Sequence, residues 1–312
     1  MPAVSIVIPN YNGMEHLPLC LNSIFKQTYS DFEVIVVDNG SSDSSVSYVA
    51  ENFPQVRWIQ FSENKGFACA VNAGITATRN DYIALLNNDI ELTGDWLEKM
   101  IEAIRQHDEI GSVACKMMNF YHRNIIDAAG DELSCAGNGR SRGEKQLDNG
   151  SFDSFHYVFG ACAGAALYRR KMFDEVGLFD ESFFAWGEDI DHDFRSQLLG
   201  YKCLYTPHAV CYHKRGGTKL QITSLAAKLH ARNPFFYLLK NVPWQIFLLR
   251  AALIILSRIY NAMKILQQGF IKEQLQAAVE VIKFFPVLLA KRKDIQSRRN
   301  VSLRYVNSLF KF

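Results

Sequence analysis

The sequence predicts an α/β fold, a doubly wound sheet with helices on both faces, followed by a helical extension. Over residues 1–117, short apolar runs alternate with helix-like segments, as in chains that wind through a parallel sheet. Polar residues follow several of these runs, at the carboxyl ends of strands where such sheets bind ligands. The 48% hydrophobic and 21% charged residues are typical of a globular chain rather than a disordered one.

The alternation predicts five strands and four helices in order. Residues 4–8 form a run that is apolar apart from Ser5, as a strand buried on both faces requires. The expected strands cover residues 4–8, 33–37, 56–61, 82–86 and 112–117. The expected helices cover residues 15–26, 44–51, 66–77 and 94–106. Asp43 is placed to cap the second helix.

The middle of the chain is less regular. Residues 119–155 are polar and glycine-rich, which indicates hairpins or a mobile loop. Residues 156–170 combine small and apolar side chains and predict one buried strand where the backbone comes close to a ligand. The remaining elements expected here are a helix at 170–176 and strands near 202–205 and 209–212, the last ending at His213.

Charge is distributed unevenly along the chain. Residues 1–213 contain 16 Lys and Arg against 29 Asp and Glu, whereas residues 214–312 contain 18 against 3. We therefore divide the chain into an α/β domain at 1–219 and a basic helical extension at 220–312. A basic, apolar extension favours contact with an anionic surface, and packing against the acidic domain is the alternative. Nucleic acid is disfavoured as a partner because long apolar runs separate the cations.

The extension is expected to lie on a membrane surface rather than to cross the membrane. Its most apolar segment, residues 244–257, is shorter than the roughly 20 residues that span a bilayer. We expect interfacial helices with Lys and Arg directed toward the lipid headgroups. The expected divisions between these helices are Pro234, Pro243, Gly269 and Pro286.

Two features favour the cytoplasmic side of the membrane. The seven cysteines show neither C-x-x-C nor zinc spacing, and an odd, scattered set is typical of reduced thiols. The first residues contain no basic region and no apolar run as long as that of a signal peptide. We therefore expect a protein held peripherally on the inner face of the cell membrane.

The first candidate site follows the fourth expected strand. Asn87, Asn88 and Asp89 come directly after the apolar run 82–86, which places them at the edge of the sheet. Hard divalent cations prefer carboxylate oxygens and keep water and phosphate oxygens as further ligands. Asp89 is therefore a candidate metal ligand, and a solvated turn acid is the alternative.

The second candidate site begins a helix. Four acids lie within six residues: Glu188, Asp189, Asp191 and Asp193. Ile190, Phe194 and Leu198 recur every fourth residue and are expected to form the buried face, with the acids off that face. Repulsion among the acids can raise one pKa toward that of a general base. The alternative is that the acids only complement the helix dipole at an exposed end.

Three further residues are weaker candidates when taken singly. Asp38 ends the second strand, where its carboxylate can accept a hydrogen bond from a nucleobase or form a turn. His213 ends a strand and is a candidate metal ligand, with a structural role as the alternative. Gly66 opens a helix whose backbone N–H groups can face an anion.

Six segments, in this order, resemble family 2 glycosyltransferases with the GT-A fold, a Rossmann-like doubly wound mixed sheet. They are residues 4–12, 36–43, 64–67 with 72–74, 85–89, 187–191 with Arg195, and the strand ending at His213. The resemblance covers residues 3–240. The sequence Ala-Arg-Asn at 231–233, followed by basic amphipathic helices, looks like the rhamnosyltransferase-like branch.

The resemblance implies a nucleotide-sugar pocket at the sheet edge. Its lining would comprise Pro9, Tyr11, Asp38, Asn64, Gly66, Asn87 and Asn88. Asp38 would accept a hydrogen bond from N3–H of uracil or thymine. Residues 87–89 occupy the place of the family's D-x-D motif, with Asn87 in place of its first Asp.

The resemblance also implies the reacting groups. Asp89 and His213 would bind Mg²⁺ or Mn²⁺, and Asp189, flanked by Glu188 and Asp191, would be the catalytic base. The implied activity is inverting transfer of a sugar, rhamnose-like by preference, from a dTDP- or UDP-sugar. The acceptor would be a hydroxyl of a saccharide or lipid-linked saccharide in cell-surface polysaccharide synthesis.

Two other functions are compatible with the same sequence. One is a polyprenyl-phosphate glycosyltransferase of the same fold, and the other is a catalytically degenerate, membrane-bound scaffold subunit. A dinucleotide oxidoreductase is disfavoured because no G-x-G-x-x-G motif follows the first strand.

Overall fold

The computed structural model describes residues 3–215 and 223–311, so the domain boundary predicted between residues 219 and 220 lies outside the described residues. The chain forms a sheet of ten strands and a second sheet of three. The strands are β1 (Val4–Asn10), β2 (Phe32–Asp38), β3 (Arg57–Gln60), β4 (Tyr82–Leu86), β5 (Ile90–Leu92), β6 (Ile110–Asn119), β7 (Ile126–Ala128), β8 (Asp131–Ser134), β9 (Gly139–Ser141), β10 (His156–Val158), β11 (Ala165–Arg169), β12 (Lys202–His213) and β13 (Phe310–Lys311).

Eleven α-helices accompany these strands in the described residues. They are α1 (Leu17–Ile24), α2 (Ser45–Asn52), α3 (Phe67–Thr76), α4 (Trp96–Ile104), α5 (Arg170–Val176), α6 (Glu188–Leu199), α7 (Ser224–Asn241), α8 (Trp244–Leu249), α9 (Ala251–Gln267), α10 (Ile271–Ser297) and α11 (Leu303–Ser308). A short 3-10 helix, Glu181–Phe183, precedes α6. The last five helices form the C-terminal extension.

Four parallel strands form one half of the main sheet, in the order β4-β1-β2-β3. In the other half, β11 runs antiparallel to both β4 and β6, while β12 runs parallel to β6. Side chains of α1, α2 and α4 pack on one face, and those of α3 and α5 pack on the other. The predicted mixed, doubly wound sheet is confirmed, and the carboxyl ends of β1, β2 and β4 lie at one edge.

The two strands predicted near 202–205 and 209–212 form one strand, β12, and the single strand predicted at 156–170 forms two. β12 is continuous, although its register against β6 shifts between Thr206 and Val210. Pro207 lies in this bulge and lacks the N–H that a regular ladder needs. Residues 156–170 instead form β10 and β11, separated by loop 159–164. Apart from Phe159 that loop is built of small residues, and a Cβ on Gly160 or Gly164 would meet the side chain of Asp193 or Asn87.

The glycine-rich region forms short hairpins, one of the two predicted alternatives. β8 and β9 pair antiparallel, and β13 from the C-terminal end adds a third strand beside β8. β7 pairs antiparallel with β6 at the edge of the main sheet. The C-terminal end of the chain therefore packs back onto the α/β domain.

Two prolines predicted to divide the extension lie inside helices. Pro234 lies within α7 and Pro286 within α10. A proline inside a helix costs about 3 kcal/mol. The extensive packing of α10 along α7 offsets this cost. No helix in the described parts of the chain combines the length and apolarity needed to cross a bilayer.

Candidate active site

Three parallel strands deliver polar side chains to one edge of the sheet. Asn10 ends β1, Asp38 ends β2, and Asn88 follows β4. Asn10 Nδ2 donates to Asp38 Oδ1 at 3.1 Å, and Asn88 Nδ2 donates to Asn10 Oδ1 at 2.9 Å. Asp38 is fully buried, and its Oδ2 accepts the Ser41 N–H at 3.0 Å. The network brings Asp38 and Asn88 to one place, while contact of Asp38 with a nucleobase stays a prediction.

A second network shapes the loop before α3. Asn64 Oδ1 accepts hydrogen bonds from Asn39 Nδ2 at 3.0 Å and from the Gly66 N–H at 2.9 Å. The Gly66 N–H, predicted to face an anion, is therefore engaged within the loop. Gly66 has a φ of +89°, and a Cβ there would lie 2.5 Å from the Phe184 carbonyl oxygen. Glycine is required at this contact between the loop and the segment before α6.

Pro9 and Tyr11 lie on either side of Asn10 at the end of β1. Pro9 is half-buried and pairs in register with Val37 of β2. Tyr11 is 49% exposed, so its ring is accessible at the sheet edge. An accessible aromatic ring next to a polar network is suited to stack on a flat ligand such as a base.

The short strand β5, which the sequence analysis does not predict, places His213 beside Asp89. β5 begins at Ile90, directly after Asp89, and pairs antiparallel with β12 so that Ile90 is opposite His213. His213 Nε2 lies 3.4 Å from Asp89 Oδ1. His213 Nδ1 lies 2.7 Å from Asp127 Oδ2, on β7. The structure thus brings the two predicted metal ligands together and adds a third residue behind them.

The imidazole of His213 is held between two carboxylates. Burial alone would lower the pKa of His213, but hydrogen bonds with Asp127 and Asp89 outweigh burial and raise that pKa to about 9. Because Nδ1 of His213 contacts Asp127, the other ring nitrogen, Nε2, is directed toward Asp89. A carboxylate orients the ring of many metal-binding histidines in the same way. The described residues contain no group of three or more His, Cys, Asp or Glu that could hold an ion. Asp89 and His213 fit a hard cation as a pair, because such cations also take phosphate and water oxygens.

Removing the Asp127 carboxylate should weaken the predicted metal site. We expect Asp127→Ala to lower the apparent affinity for Mn²⁺ about 10–100-fold, because the ring of His213 loses its fixed orientation. The measurement is a Mn²⁺ titration of activity. Glu144→Ala is the matched control, since Glu144 pairs at 2.8 Å with Arg215, which also contacts Asp127. An unchanged Mn²⁺ affinity in Asp127→Ala would contradict the orienting role.

Loop 159–164 lies between the two acidic clusters. The Asn87 N–H donates to the Gly164 carbonyl oxygen at 2.8 Å. The Ala163 N–H lies close enough to the Asp189 carboxylate to stabilise its ionised form. Because Ala163 and Gly164 are consecutive residues, the end of β4 and the start of α6 converge on one short stretch of backbone. The clusters are far apart in sequence and adjacent in space.

Four carboxyl groups lie around this loop, three of them buried and one, Asp189, half-buried. They are Glu188, Asp189, Asp131 and Asp193. Burial raises the pKa of each, and repulsion from Asp189 raises the pKa of the other three further, to well above the ordinary values. The pKa of Asp189 is raised less, because backbone N–H groups, including those of Ile190 and Ala163, stabilise its ionised form. Asp189 is therefore the group best suited to be ionised and to accept a proton near neutral pH.

Asp191, predicted among the catalytic acids, lies away from solvent. It is fully buried and pairs with Arg195 Nε at 3.0 Å and with Lys240 Nζ at 2.8 Å. Asn241 Nδ2 donates to the same carboxylate at 2.8 Å. These contacts join α6 to α7, and this geometry gives no support to direct contact with a substrate.

The turn that presents Asp189 is strained. Phe184, Trp186 and Gly187 have φ values of 67°, 60° and 92°. For residues with a Cβ this left-handed conformation costs roughly 1–3 kcal/mol each. Such a turn persists only where its surroundings hold it in place.

Helix α7 supplies the contacts that hold this turn. Asn233 Nδ2 lies 3.2, 2.9 and 2.6 Å from the carbonyl oxygens of Phe183, Ala185 and Trp186. Arg232 also donates to the Phe183 carbonyl oxygen, at 3.0 Å. Helix α7 of the extension is therefore part of the site and not a separate appendage.

Removal of this support should affect turnover more than donor binding. We expect Asn233→Ala to lower the free energy of unfolding by about 2 kcal/mol, because buried carbonyl groups lose their donor. It should also reduce kcat more than it raises the donor KM, because the turn positions Asp189 and contacts the proposed nucleotide pocket only where Phe184 meets Gly66. Steady-state kinetics and thermal unfolding measure both. Asn52→Ala removes an exposed side chain-to-backbone hydrogen bond on α2 and serves as control. A selective rise in donor KM would contradict the assignment.

Four residues of this site have no role in the sequence prediction: Asn10, Asp127, Asp131 and Asn233. Asn10 directly follows a buried apolar run, so the signal that identified Asp38 also identifies Asn10. Asp127 and Asp131 lie in the glycine-rich region, where only the folded chain fixes which strands pair. Asn233 contacts the turn before α6 across a wide sequence separation that no local pattern indicates.

A family model and several curated proteins match this chain. The model for glycosyl transferase family 2 matches residues 5–177. The uncharacterized glycosyltransferase RP339 of Rickettsia prowazekii (strain Madrid E) is 26% identical over 214 residues, covering 69% of this chain and 64% of that protein. Chondroitin synthase of Escherichia coli is 36% identical over 137 residues, covering 43% of this chain and 19% of the synthase. The chain thus spans less than two thirds of the length of either relative.

Two solved structures have a similar fold. The mannosyltransferase PcManGT from Pyrobaculum calidifontis, in complex with GDP-Man and Mn²⁺, matches with a TM-score of 0.58 and 17% identity, covering 98% of this chain and 86% of that one. GalNAc-T7 with UDP, GalNAc and Mn²⁺ matches with a TM-score of 0.59 and 15% identity, covering 76% and 50%. The fold is therefore a GT-A-like mixed α/β fold with a C-terminal helical extension. The family model matches more than half of the 312 residues of this chain, and the chain therefore belongs to glycosyl transferase family 2.

Proposed function

We propose that this chain is an inverting glycosyltransferase that moves a sugar from a nucleoside diphosphate to an acceptor hydroxyl. The observation that carries the proposal is the convergence of the two acidic clusters on loop 159–164. A donor bound across the ends of β1, β2 and β4 would place its diphosphate beside Asp89 and His213. Its sugar would then lie toward Asp189.

Asp189 is the general base of the proposed reaction. Its carboxylate takes the proton of the acceptor hydroxyl while that oxygen forms a bond to the anomeric carbon. The bond between this carbon and the diphosphate oxygen breaks, and the electron pair leaves with the nucleoside diphosphate. Attack comes from the face opposite the leaving group, so the configuration inverts. General base catalysis typically contributes about 10²–10⁴-fold in rate.

Asp89 and His213 would hold Mg²⁺ or Mn²⁺. When bound, the cation neutralises the charge on the departing diphosphate. Asp127 keeps the ring of His213 oriented, and Asn88 ties the end of β4 to β1 through Asn10. The Mn²⁺ in the structures of PcManGT and GalNAc-T7 supports a divalent cation here.

We favour a dTDP- or UDP-sugar as the donor, with a rhamnose-like sugar. A carboxylate at Asp38 suits the N3–H of thymine or uracil, and the accessible ring of Tyr11 suits stacking on the base. UDP accompanies GalNAc-T7, whereas GDP-Man accompanies PcManGT. The rhamnose preference rests on the likeness of residues 231–233 and the following helices to one branch of the family.

The acceptor we favour is a saccharide, or a lipid-linked saccharide, used in cell-surface polysaccharide synthesis at the inner face of the membrane. A half-buried base with a raised pKa favours a hydroxyl acceptor over a polyprenyl phosphate, since a phosphate oxygen is already anionic. Basic, apolar helices in the extension favour an acceptor held at a membrane surface.

A thermal-shift screen of UDP-, dTDP- and GDP-sugars, each with and without Mn²⁺, tests the donor class. A ligand that binds the native state raises the melting temperature. We expect the largest rise with a UDP- or dTDP-sugar in the presence of Mn²⁺. A larger rise with GDP-sugars would overturn the assignment of the base, and no rise with any nucleotide sugar would overturn the proposed function.

A further inference from the structure

Helix α9 is apolar over most of its surface, interrupted by a polar stripe at Ser257, Asn261 and Lys264, yet of its 17 residues only Ile254 and Arg258 are buried. A helix of this composition is normally enclosed by other apolar groups. Among the described residues, 24 large hydrophobic side chains are exposed, and 16 of these lie between Trp244 and Val287. This concentration on α8, α9 and α10, which we name the outer face, marks an interaction surface.

The acidic residues in the apolar part of α10 contact α7, whereas its lysines there are exposed. Glu280 accepts hydrogen bonds from Lys228 at 2.9 Å and Arg232 at 2.6 Å, both on α7. Glu273 accepts a hydrogen bond from Ser224 Oγ of α7 at 2.6 Å. Both acids are therefore engaged by α7. The exposed cations of α9 and of the apolar part of α10 are Lys264, Lys272 and Lys283. The outer face thus combines apolar side chains with positive charge.

We propose that the outer face binds the surface of an anionic membrane. Its apolar side chains would enter the headgroup region, and its lysines would lie near lipid phosphates. A second copy of the chain is a weaker candidate, because a symmetric contact through this face would bring the same lysines together. Asp294, an exposed acid of α10, lies beyond the apolar stretch and near Arg298.

The outer face is connected to the active site through packed helices. α10 packs along α7, and Asn233 of α7 holds the turn before Asp189. A membrane bound at the outer face would therefore lie in a fixed direction from the acidic site. The inference rests on exposed faces and charges and not on the proposed reaction, so vesicle binding and sugar transfer can be tested separately.

Flotation of the full chain with vesicles tests this proposal. We expect the protein to float with vesicles of phosphatidylcholine mixed with phosphatidylglycerol, more weakly with phosphatidylcholine alone, and less as salt is added. Replacing Lys264, Lys272 and Lys283 by Gln should weaken binding on the order of 100-fold, since each lysine near an anionic surface contributes about fivefold. Combining Leu249→Ser, Leu256→Ser and Ile282→Ser should weaken binding about tenfold for each inserted side chain.

The matched control replaces exposed hydrophobic side chains that lie outside the outer face. Tyr121 and Leu147 are 67% and 58% exposed on the α/β domain, so Tyr121→Ser with Leu147→Ser should leave flotation unchanged. All substituted side chains are exposed, and thermal unfolding checks that each variant folds. Wild-type protein that never floats with anionic vesicles, at any salt concentration, would overturn the proposal. The proposal would also be overturned if the protein bound no lipid but formed a dimer that the serine substitutions abolish. A second copy of the chain would then cover the outer face.

Discussion

The Asp189→Asn variant is expected to lose sugar transfer by about 10²–10⁴-fold while retaining donor binding. An amide has nearly the shape of the carboxylate and cannot accept the proton of the acceptor hydroxyl. The contacts proposed to bind the nucleotide lie at the ends of β1, β2 and β4, and none of them involves the side chain of residue 189. Calorimetry with the nucleotide sugar and a product assay measure the two properties on the same preparation.

The pH profile of the wild-type protein provides a second test of the role of Asp189. The pKa of Asp189 is raised by burial above the ordinary value of 3.8. Because a general base must be deprotonated, kcat/KM should fall as the pH falls through this raised pKa, and the acid limb should lie above pH 3.8. Asp174→Asn, on the exposed side of α5, is the control and should keep both rate and profile. Full turnover by Asp189→Asn would show that Asp189 is not the general base.

The Asp89→Ala variant is expected to lose both Mn²⁺-dependent donor binding and turnover. Asp89 would supply the carboxylate of the proposed metal pair, and His213 alone would offer a single ring nitrogen. We expect kcat/KM to fall about 10²–10³-fold, the usual effect of removing one group that stabilises charge in a transition state. Donor titrations with and without Mn²⁺ separate this loss from a general loss of folding.

Asp108→Ala serves as the control for Asp89→Ala, because Asp108 is an exposed acid outside the site. Circular dichroism should show the same secondary structure in both variants. The two site variants then differ in kind: Asp189→Asn binds donor without transferring its sugar, whereas Asp89→Ala no longer responds to Mn²⁺. If Asp89→Ala retained wild-type donor affinity and Mn²⁺ dependence, the metal pair would have to be elsewhere.

Local patterns predict the sheet and its edge well. The apolar runs become β1, β2 and β4, and Ile190, Phe194 and Leu198 are all buried as their spacing predicts. These outcomes depend only on periodicity and on the rule that parallel strands end at one edge. Asp38 and Asn88 are close together for the same reason.

The environment of α6 is less accessible to sequence reasoning. Its acids were expected off the buried face, yet Asp191 and Asp193 are buried, because neighbouring segments cover the other sides of the helix. Asn241 Nδ2 donates to Asp191 across fifty residues, and Asp193 Oδ2 lies where a Cβ on Gly160 would be. No periodicity indicates such long-range partners. β5 was also missed, since three residues are too few to form a pattern.

The most direct test is a crystal structure of Asp189→Asn with a nucleotide sugar and Mn²⁺. We predict Mn²⁺ bound by Asp89 and His213 against the diphosphate, with the anomeric carbon between that diphosphate and the side chain at position 189. A donor bound with its sugar directed away from position 189, or a cation bound by other residues, would contradict this prediction.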